Sequence, residues 1–461
     1  MDRKNKFFIA CSLCCAISVA LSSCKFEEDD YFDEEAALRI ENTAISIKST
    51  LVAPEQGWVM QYFCGAGTAH FEGFNILARF NADNAVTLAS NHRYLRNNNA
   101  GKYIESASLY EILLEDGPVL AFNTWNDVLT PFVDPVSPWQ APRTINKDGA
   151  GMRGDNNLVV MSYSDKEVLL RGERHGGLTR LIPCDRPWEQ YLKDCDSIKN
   201  AVSNSAITAY YIAESGDTSF EKALYITGLN NGGRLRYSER LDDPFKNDSL
   251  SAVFTPKGFR LERADTINGN LFQEFFLADD MTCLQTEDGK VKIVPCWDLL
   301  IINRTAVWNF DMEQFSAEQK RLLEQIDAEF KAFNNTYELT SVGLGRSSGA
   351  QAIKGLVFSF TYTNKGKKAN NTAGVALDIT RPKYGQLQLA ISEEGTMDKN
   401  MQSICSKSNA EQLVQQFVAS LSGKYRITPN DYFNPTECEL QQIIEKEDGT
   451  EELGSIKYTL K

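Results

Sequence analysis

Residues 74–88 read FNILARF-NADN-AVTL, and this stretch predicts a β-hairpin. In its first seven residues an apolar side chain recurs at every second position, so an extended chain would gather these side chains on one face. Asp83-Asn84 offers residue types that favour a tight turn, and a second apolar run returns from Ala85 to Leu88. The apolar positions of the first strand are Phe74, Ile76, Ala78 and Phe80.

Short apolar strands and turns continue on both sides of this hairpin. Each predicted strand lies close in sequence to the next, which favours sequential antiparallel pairing. Eight such strands suit an up-and-down barrel or a folded sandwich, and the pattern leaves both open. The predicted strands are 57–63, 74–80, 85–88, 108–114, 118–122, 157–163, 167–172 and 178–183.

Helices are predicted before and after this meander. Residues 33–51 repeat apolar side chains at helical spacing and end before Pro54. Asp185 is expected to cap a second helix, with Pro187 near its first position. Ser316-Ala317-Glu318-Gln319 and Ser408-Asn409-Ala410-Glu411 each have the sequence of a capping box.

The expected fold is mainly β to α+β. It comprises an N-terminal antiparallel meander, a second β region from about residue 207 to 295, and an α+β C-terminal region. The expected segments are 1–23, a signal peptide; 24–40, a lipidated acidic tether and helix start; 41–185, an antiparallel β domain; 186–300, a helix and the second β region; and 301–461, the α+β domain.

The amino terminus has the layout of a bacterial export signal. Basic residues precede an uncharged stretch from Phe7 to Leu21, which is shorter than the roughly 20 apolar residues that a membrane crossing needs. The stretch closes with Leu21-Ser22-Ser23-Cys24, which resembles a lipobox. We therefore expect cleavage before Cys24, lipidation of its thiol and stable attachment to a membrane, since each buried CH2 contributes roughly 0.8 kcal/mol.

An acidic cluster follows the expected lipidation site. Glu27-Glu28-Asp29-Asp30 resembles the surface-export signal of Bacteroidetes lipoproteins, and it also suits a solvated tether because like charges repel one another. The whole chain carries a formal charge of −14, and removal of residues 1–23 makes the rest more acidic still. Such a surface repels phosphate backbones, so no nucleic-acid partner is expected.

The cysteines show no zinc-ribbon spacing. None of those beyond the lipobox forms a CxxC pair, and most are expected to be buried apolar side chains. Cys283 and Cys296 flank a predicted turn and could meet across a hairpin. The seven cysteines are Cys64, Cys184, Cys195, Cys283, Cys296, Cys405 and Cys438.

Two pairs of stretches carry a family resemblance. The first pair is 107–112 with 117–124, and the second is 254–261 with 267–275. Together with the lipobox they resemble the Bacteroidetes lipoprotein family of unknown function, DUF 4302, most clearly from residue 24 to about 300. The resemblance implies an outer-membrane lipoprotein that often accompanies nutrient-uptake systems of the starch-utilisation type. It implies no active site and therefore no functional residue.

Catalytic motifs are weakly represented. Gly345-Arg346-Ser347-Ser348-Gly349 matches G-x-S-x-G, but a strand rather than a helix is predicted after it, and no histidine follows the serine. His70, His92 and His175 are widely separated, so no metal site is expected, and His175 is expected to be an exposed turn residue. No cofactor motif is present. A pair of carboxylates acting on a glycan has no sequence signature and stays possible.

Tryptophan side chains are the remaining candidates for ligand contact. Trp58 and Trp188 lie in periodic apolar patterns and are expected in the core. Trp139 lies in a proline-rich loop, and Trp125 is the second candidate, because loops on a rigid β scaffold commonly carry recognition. The expected function is non-catalytic capture of a glycan or peptide at the cell surface. The alternatives are a surface hydrolase with paired carboxylates and a structural or adhesive subunit.

Overall fold

The computed structural model contains three successive eight-stranded antiparallel sheets. It describes residues 36–461 except 66–70, 116, 135–150, 204–206, 208, 218–219, 221–223, 229–233, 239–248, 298, 300, 302–306, 349–350 and 393–395. The expected mainly β to α+β class is confirmed, and the choice left open for the first meander is resolved in favour of a barrel. No described helix is long and apolar enough to cross a membrane.

The first sheet is a closed up-and-down barrel. Helix α1, Ala36–Val52, precedes it, and β1 pairs with both β2 and β8, which closes the ring. The strands are Trp58–Tyr62 (β1), Phe74–Phe80 (β2), Ala85–Ser90 (β3), Ile104–Leu114 (β4), Pro118–Phe122 (β5), Asn157–Tyr163 (β6), Val168–Gly172 (β7) and Leu178–Pro183 (β8).

Alternation along the strands builds the core of this barrel. Phe74, Ile76, Ala78 and Phe80 all join one buried cluster, as the hairpin pattern predicted. Trp58 lies in the same cluster, and its indole N–H donates to the Leu51 carbonyl of α1 at 2.8 Å. The helix packs through its second half, since Ile47 and Leu51 are buried, whereas Ile40 is exposed.

The second sheet closes in the same way. Helix α3, Trp188–Val202, leads into it, and β9 pairs with both β10 and β16. The strands are Tyr210–Glu214 (β9), Leu224–Thr227 (β10), Arg234–Ser238 (β11), Ser249–Thr255 (β12), Gly258–Ile267 (β13), Asn270–Leu277 (β14), Leu284–Gln285 (β15) and Val291–Pro295 (β16). A short helix, α2 (Thr130–Val133), lies earlier in the chain, between β5 and β6.

The third sheet is also a sequential meander of eight strands. Asn309 and Lys461 exchange backbone hydrogen bonds of 2.9 Å, which brings its first and last strands together. Its strands are Trp308–Asn309 (β17), Glu338–Arg346 (β18), Lys354–Asn364 (β19), Lys367–Thr380 (β20), Gln386–Ile391 (β21), Gly423–Pro429 (β22), Cys438–Glu445 (β23) and Glu451–Leu460 (β24). Its helices are Ala317–Phe333 (α4), Lys399–Cys405 (α5) and Ala410–Leu421 (α6).

The predicted helix caps had mixed outcomes. The Ser316 box is confirmed, because its hydroxyl accepts the Gln319 N–H and the Gln319 side chain accepts the Ser316 N–H. The Ser408 box is wrong, since Asn409 is the N-cap of α6 and Ser408 instead donates to the Ile404 carbonyl. The Asp185 cap is also wrong, because Pro187 occupies the N-cap and Asp185 pairs with Arg186.

The seven cysteines beyond the lipobox form no disulfide with one another. Cys283 is half-buried and Cys296 is buried, so the disulfide considered across their hairpin does not form. Cys296 follows the end of β16 and joins a small buried cluster with Tyr211 and Val294, with Cys283 packed at its edge. The other cysteines are mostly buried, as expected of small apolar side chains.

The first two barrels pack side against side. Helix α3 contributes Trp188 and Cys195 to a core that also contains the outward-facing Val59 and Leu77 of the first barrel. The Gly73 N–H donates to the Ala252 carbonyl at 2.8 Å, which joins β12 to the segment before β2. The two barrels are therefore in direct contact along one side, and we call this line of contact the seam.

Candidate ligand-binding site

The topology of the first barrel gathers its longer connections at one end. In a sequential meander, consecutive connections alternate between the two ends of the sheet. The connections after β2, β4 and β6 are tight turns at one end, so the segments after β1, β3, β5 and β7 share the other. Loops at one end of a rigid barrel are a common place for recognition.

Aromatic side chains close this end of the barrel. Phe132 of α2 lies with its ring centroid 4.5 Å from Phe74 and 4.4 Å from His92, and Tyr62 and Tyr94 complete the cluster. These rings pack against one another at the mouth of the barrel. The loops around them form the outer surface of this end.

His92 is a buried, hydrogen-bonded part of this cluster. Its Nδ1 accepts the Tyr94 N–H at 3.2 Å, so its Nε2 carries the proton and donates to the Val128 carbonyl at 2.9 Å. Burial lowers the pKa of His92 to about 4, because desolvation disfavours the charged ring. This neutral histidine fixes the loop that follows β5.

Trp125 lies on that loop and stays exposed, with 53% of its surface accessible. Its indole N–H donates to the Asp127 carboxylate at 2.7 Å, and the Arg96 guanidinium lies 4.8 Å from the ring centroid. Arg96 is itself held by an ion pair of 2.6 Å with Asp134. The ring is thus fixed from its edge and one side, although it is not covered.

Asn126 anchors the loop beneath this ring. Its side-chain oxygen accepts the Val128 N–H at 3.0 Å, and its amide donates to the Ser106 carbonyl at 3.0 Å on β4. The residue is buried, and its local hydrogen bonds replace the ones that a regular helix start would supply. Trp125 is therefore presented from a braced turn.

A pocket of about 200 Å3 adjoins Trp125. This volume is below the roughly 300–1,000 Å3 of sites for drug-sized ligands, so it suits one sugar ring or one side chain. Amides and hydroxyls stand beside apolar groups on its walls. The lining residues are Phe122, Asn123, Thr124, Trp125, Asn126, Leu129, Thr130, Val133 and Asn156.

The other predicted site residues fall into two groups. Trp139, in segment 135–150, and Cys24 lie outside the described residues, and so does His70. Trp58, Trp188, Trp297 and Trp308 are buried. Trp125 is thus the exposed tryptophan in the described part of the chain. Its polar neighbours Asn123, Thr124 and Asp127 were the signal for this exposure in the sequence.

The G-x-S-x-G motif begins in the last two residues of β18, and its serine, Ser347, follows the strand in the connection to β19. Ser347 is buried, and its Oγ accepts the Ile353 N–H at 3.1 Å. A nucleophile elbow needs a helix after the serine and an accessible hydroxyl, and this segment provides neither. The serine therefore stabilises the connection between the two strands.

The prediction of an exposed His175 was wrong. The side chain is mostly covered, and its Nδ1 lies 3.2 Å from the buried Asp155 carboxylate. Asp155 also accepts the His175 and Arg174 N–H groups, which organises the connection between β7 and β8. Sequence reasoning missed Asp155, which carries no local motif. Within the described ranges no group of three His, Cys, Asp or Glu side chains is placed to hold a metal ion.

The protein is thus built on closed antiparallel barrels, and the first barrel carries an exposed tryptophan beside a small pocket in its loops. The family model described as Domain of unknown function (DUF4302) matches residues 28–279. Because the match covers more than half of the chain, the protein belongs to this family, and the resemblance drawn from the sequence is confirmed to that extent. The matched range ends just after β14. A search of curated proteins finds no match.

Proposed function

We propose that this protein is a lipid-anchored surface protein that captures a neutral glycan for uptake without cleaving it. The observation that carries the proposal is Trp125, which is exposed and yet braced by Asp127 and Arg96 beside a small pocket with apolar and polar walls. Burial of a large aromatic ring would stabilise the folded protein by a few kcal/mol, so its exposure does not contribute to folding stability. Bracing it reduces the entropy lost when a ligand binds.

The pocket chemistry favours a sugar over a charged ligand. An indole ring presents a flat apolar face, and the neighbouring Asn123, Thr124 and Asn156 offer amide and hydroxyl groups. Sugar rings have both an apolar face and hydroxyl groups, so they match both features. A single unit of a polymer would fill about 200 Å3, and several weak contacts along one chain would add avidity.

The cellular place in this proposal rests on the amino terminus. Leu21-Ser22-Ser23-Cys24 supports lipidation, and Glu27 to Asp30 supports display on the outer face of an outer membrane. Membership of a nutrient-uptake complex follows from the family resemblance, which is its only support. Loops at one end of the first barrel would then meet the polymer.

Affinity electrophoresis of the mature protein in gels cast with individual polysaccharides tests the proposal. We expect at least one neutral polymer to retard the wild type, and Trp125→Ala to weaken that retardation by about tenfold, as loss of a stacking contact predicts. Trp125→Phe should give an intermediate affinity, because it keeps the ring and loses the hydrogen bond to Asp127.

Tyr163→Ala is the matched control, since this aromatic residue is also exposed on the first barrel but lies at the end of β6. It should bind like the wild type. Equal losses in both variants, or retardation by peptides alone, would contradict glycan capture at Trp125. Release of shorter sugars that stops when an Asp/Glu pair is replaced would establish a hydrolase instead.

A further inference from the structure

A cavity of about 350 Å3 lies at the seam between the first two barrels. Strands β6, β7 and β8 form one wall, and β13 and β14 form the other. It shares no lining residue with the pocket beside Trp125 and is not part of the proposed glycan site. Its lining residues are Met161, Leu169, Leu170, Leu178, Thr179, Arg180, Arg260, Glu262 and Gln273.

The wall from the first barrel is largely apolar. Met161, Leu169 and Leu178 line it, and 59% of the Met161 surface is exposed. Covering solvent-exposed apolar surface is favourable by about 25 cal/mol for each Å2 that is buried. This wall therefore suits an apolar body of a few carbon atoms.

The wall from the second barrel is charged. Arg260 and Glu262 are two residues apart on β13, and both line the cavity opposite the first barrel. Phe259 and Leu261 alternate with them and pack in the core of the second barrel. The strand thus sets a cation and a carboxyl group side by side at the cavity.

Glu262 is only 6% exposed, and its Oε1 has no hydrogen-bond partner in the described part of the chain. A buried polar atom without a partner costs about 1–3 kcal/mol. Burial also raises the pKa of this carboxyl, since desolvation disfavours its charge. A bound N–H or O–H donor would remove this cost.

Arg260, the second charged group at the cavity, would be stabilised by a bound anion. Among the described residues it forms no ion pair, whereas the nearby Arg180 pairs with Glu167 and lies 3.7 Å from Glu274. Burial and the nearby Arg180 lower the pKa of Arg260 to about 10, although its cross-strand neighbour Glu274 and Glu167 act in the opposite direction. An anion in the cavity would stabilise this cation.

We propose that the seam cavity binds a small apolar carboxylate, of the class of N-acylated apolar amino acids or the carboxyl end of an apolar peptide. The carboxylate pairs with Arg260, the adjacent amide N–H donates to Glu262, and the aliphatic side chain packs on Met161, Leu169 and Leu178. The opposed apolar and charged walls require these three groups in one compact molecule. Water alone would satisfy the polar wall and leave the apolar wall unmatched.

N-acetyl-leucine is the probe, and titration calorimetry on the full mature protein is the measurement. We expect binding by the wild type, and at least about tenfold weaker binding of N-acetyl-leucinamide, which lacks the carboxylate, because a charge-assisted pair is lost. N-acetylglycine should also bind at least about tenfold more weakly, since it lacks the apolar side chain. No binding of N-acetyl-leucine by the wild type would overturn the proposal.

Variants locate the site. Arg260→Gln should weaken binding by at least about tenfold, whereas Arg263→Gln, an exposed arginine on the same strand, should not change it. Met161→Glu keeps folding testable because its site is exposed, and its charge should repel the carboxylate. Binding that survives both Arg260→Gln and Met161→Glu would place the ligand elsewhere. Trp125→Ala should leave this binding intact, which separates this test from that of glycan capture.

Discussion

Single tryptophans in this protein have opposite roles that depend on their neighbours. Trp58 donates its indole N–H to a backbone carbonyl inside the barrel core, whereas Trp125 donates to a side chain on an exposed loop. Both hydrogen bonds satisfy the polar edge of the ring, so satisfaction of the N–H does not distinguish core from site. The distinction lies in whether the faces of the ring are covered.

His92 gives a pH prediction at the same scale. Its pKa of about 4 in the folded barrel lies below the roughly 6.5 of an unfolded histidine. Between these values the unfolded chain binds a proton that the folded protein excludes. Above about pH 6.5 His92 therefore does not reduce the free energy of unfolding. As the pH falls toward 4, the free energy of unfolding decreases by about 3 kcal/mol in all.

The measurement is urea unfolding of the wild type and His92→Gln at several pH values. Glutamine can still donate to the Val128 carbonyl but does not titrate, so its stability should fall less steeply between pH 6.5 and 4. The variant should be less stable at neutral pH, because the bond from the Tyr94 N–H is disturbed. Parallel pH dependences in the two proteins would show that His92 does not contribute.

Helix α4 begins with a reciprocal capping box. Gln319 closes the capping box and also donates to the Tyr458 hydroxyl at 2.9 Å, which joins the helix start to β24. Ser316→Ala should remove the acceptor of the Gln319 N–H and cost about 1 kcal/mol. Hydrogen exchange at that amide should accelerate about fivefold, whereas Ser408→Ala should leave exchange at the Glu411 amide, which a Ser408 box would protect, unchanged. An unchanged exchange rate at Gln319 would contradict the cap.

The two serine motifs show what a sequence pattern can and cannot predict. Both begin S-x-x-E/Q. Ser316 is an N-cap with extended backbone, ψ near 160°, whereas the N-cap of α6 is Asn409, with ψ near 19°. At Ser408 the end of α5 lies only three residues earlier, so the hydroxyl turns back to the Ile404 carbonyl. Tertiary context that places two helices end to end is not visible in a window of four residues.

Strand pairing shows the same boundary between local and distant information. The β2–β3 hairpin was predictable, because alternation and turn residues are adjacent in sequence. Closure of the ring by β1 and β8 was not, because nothing local to Trp58 specifies Pro183 as its partner. The exposure of Trp125 had a local polar signal, whereas the seam cavity combines Leu169 and Arg260 from different barrels.

For the whole molecule, the same architecture occurs three times without a sequence repeat of fixed period. Each sheet is an eight-stranded sequential meander, although the strands range from two residues in β15 to fourteen in β20. The common topology reflects the same way of burying alternating strands, and in the first two sheets closure of the ring also removes exposed edges.

The anchor is a prediction at this scale. We expect Cys24→Ala to give an uncleaved precursor without lipid, because the thiol that accepts the lipid is lost. Labelling of cells with a clickable palmitate analogue, followed by immunoprecipitation, measures it. Ser23→Ala should retain the label because alanine is also small, and equal labelling of wild type and Cys24→Ala would contradict the anchor.

Ring closure by first and last strands also governs how the chain folds as it emerges. Local hairpins such as β2–β3 form early, but β1 keeps one unpaired edge until residues 178–183 arrive. All five residues of β1 are buried in the finished barrel, and all except Gln61 are apolar or aromatic, so the strand exposes mainly apolar side chains until the barrel closes. Such an edge pairs readily with the same strand of another chain. The time until β8 is synthesised therefore sets how long newly made chains can aggregate through β1. A chaperone that covers β1 during this time would raise the yield of folded protein.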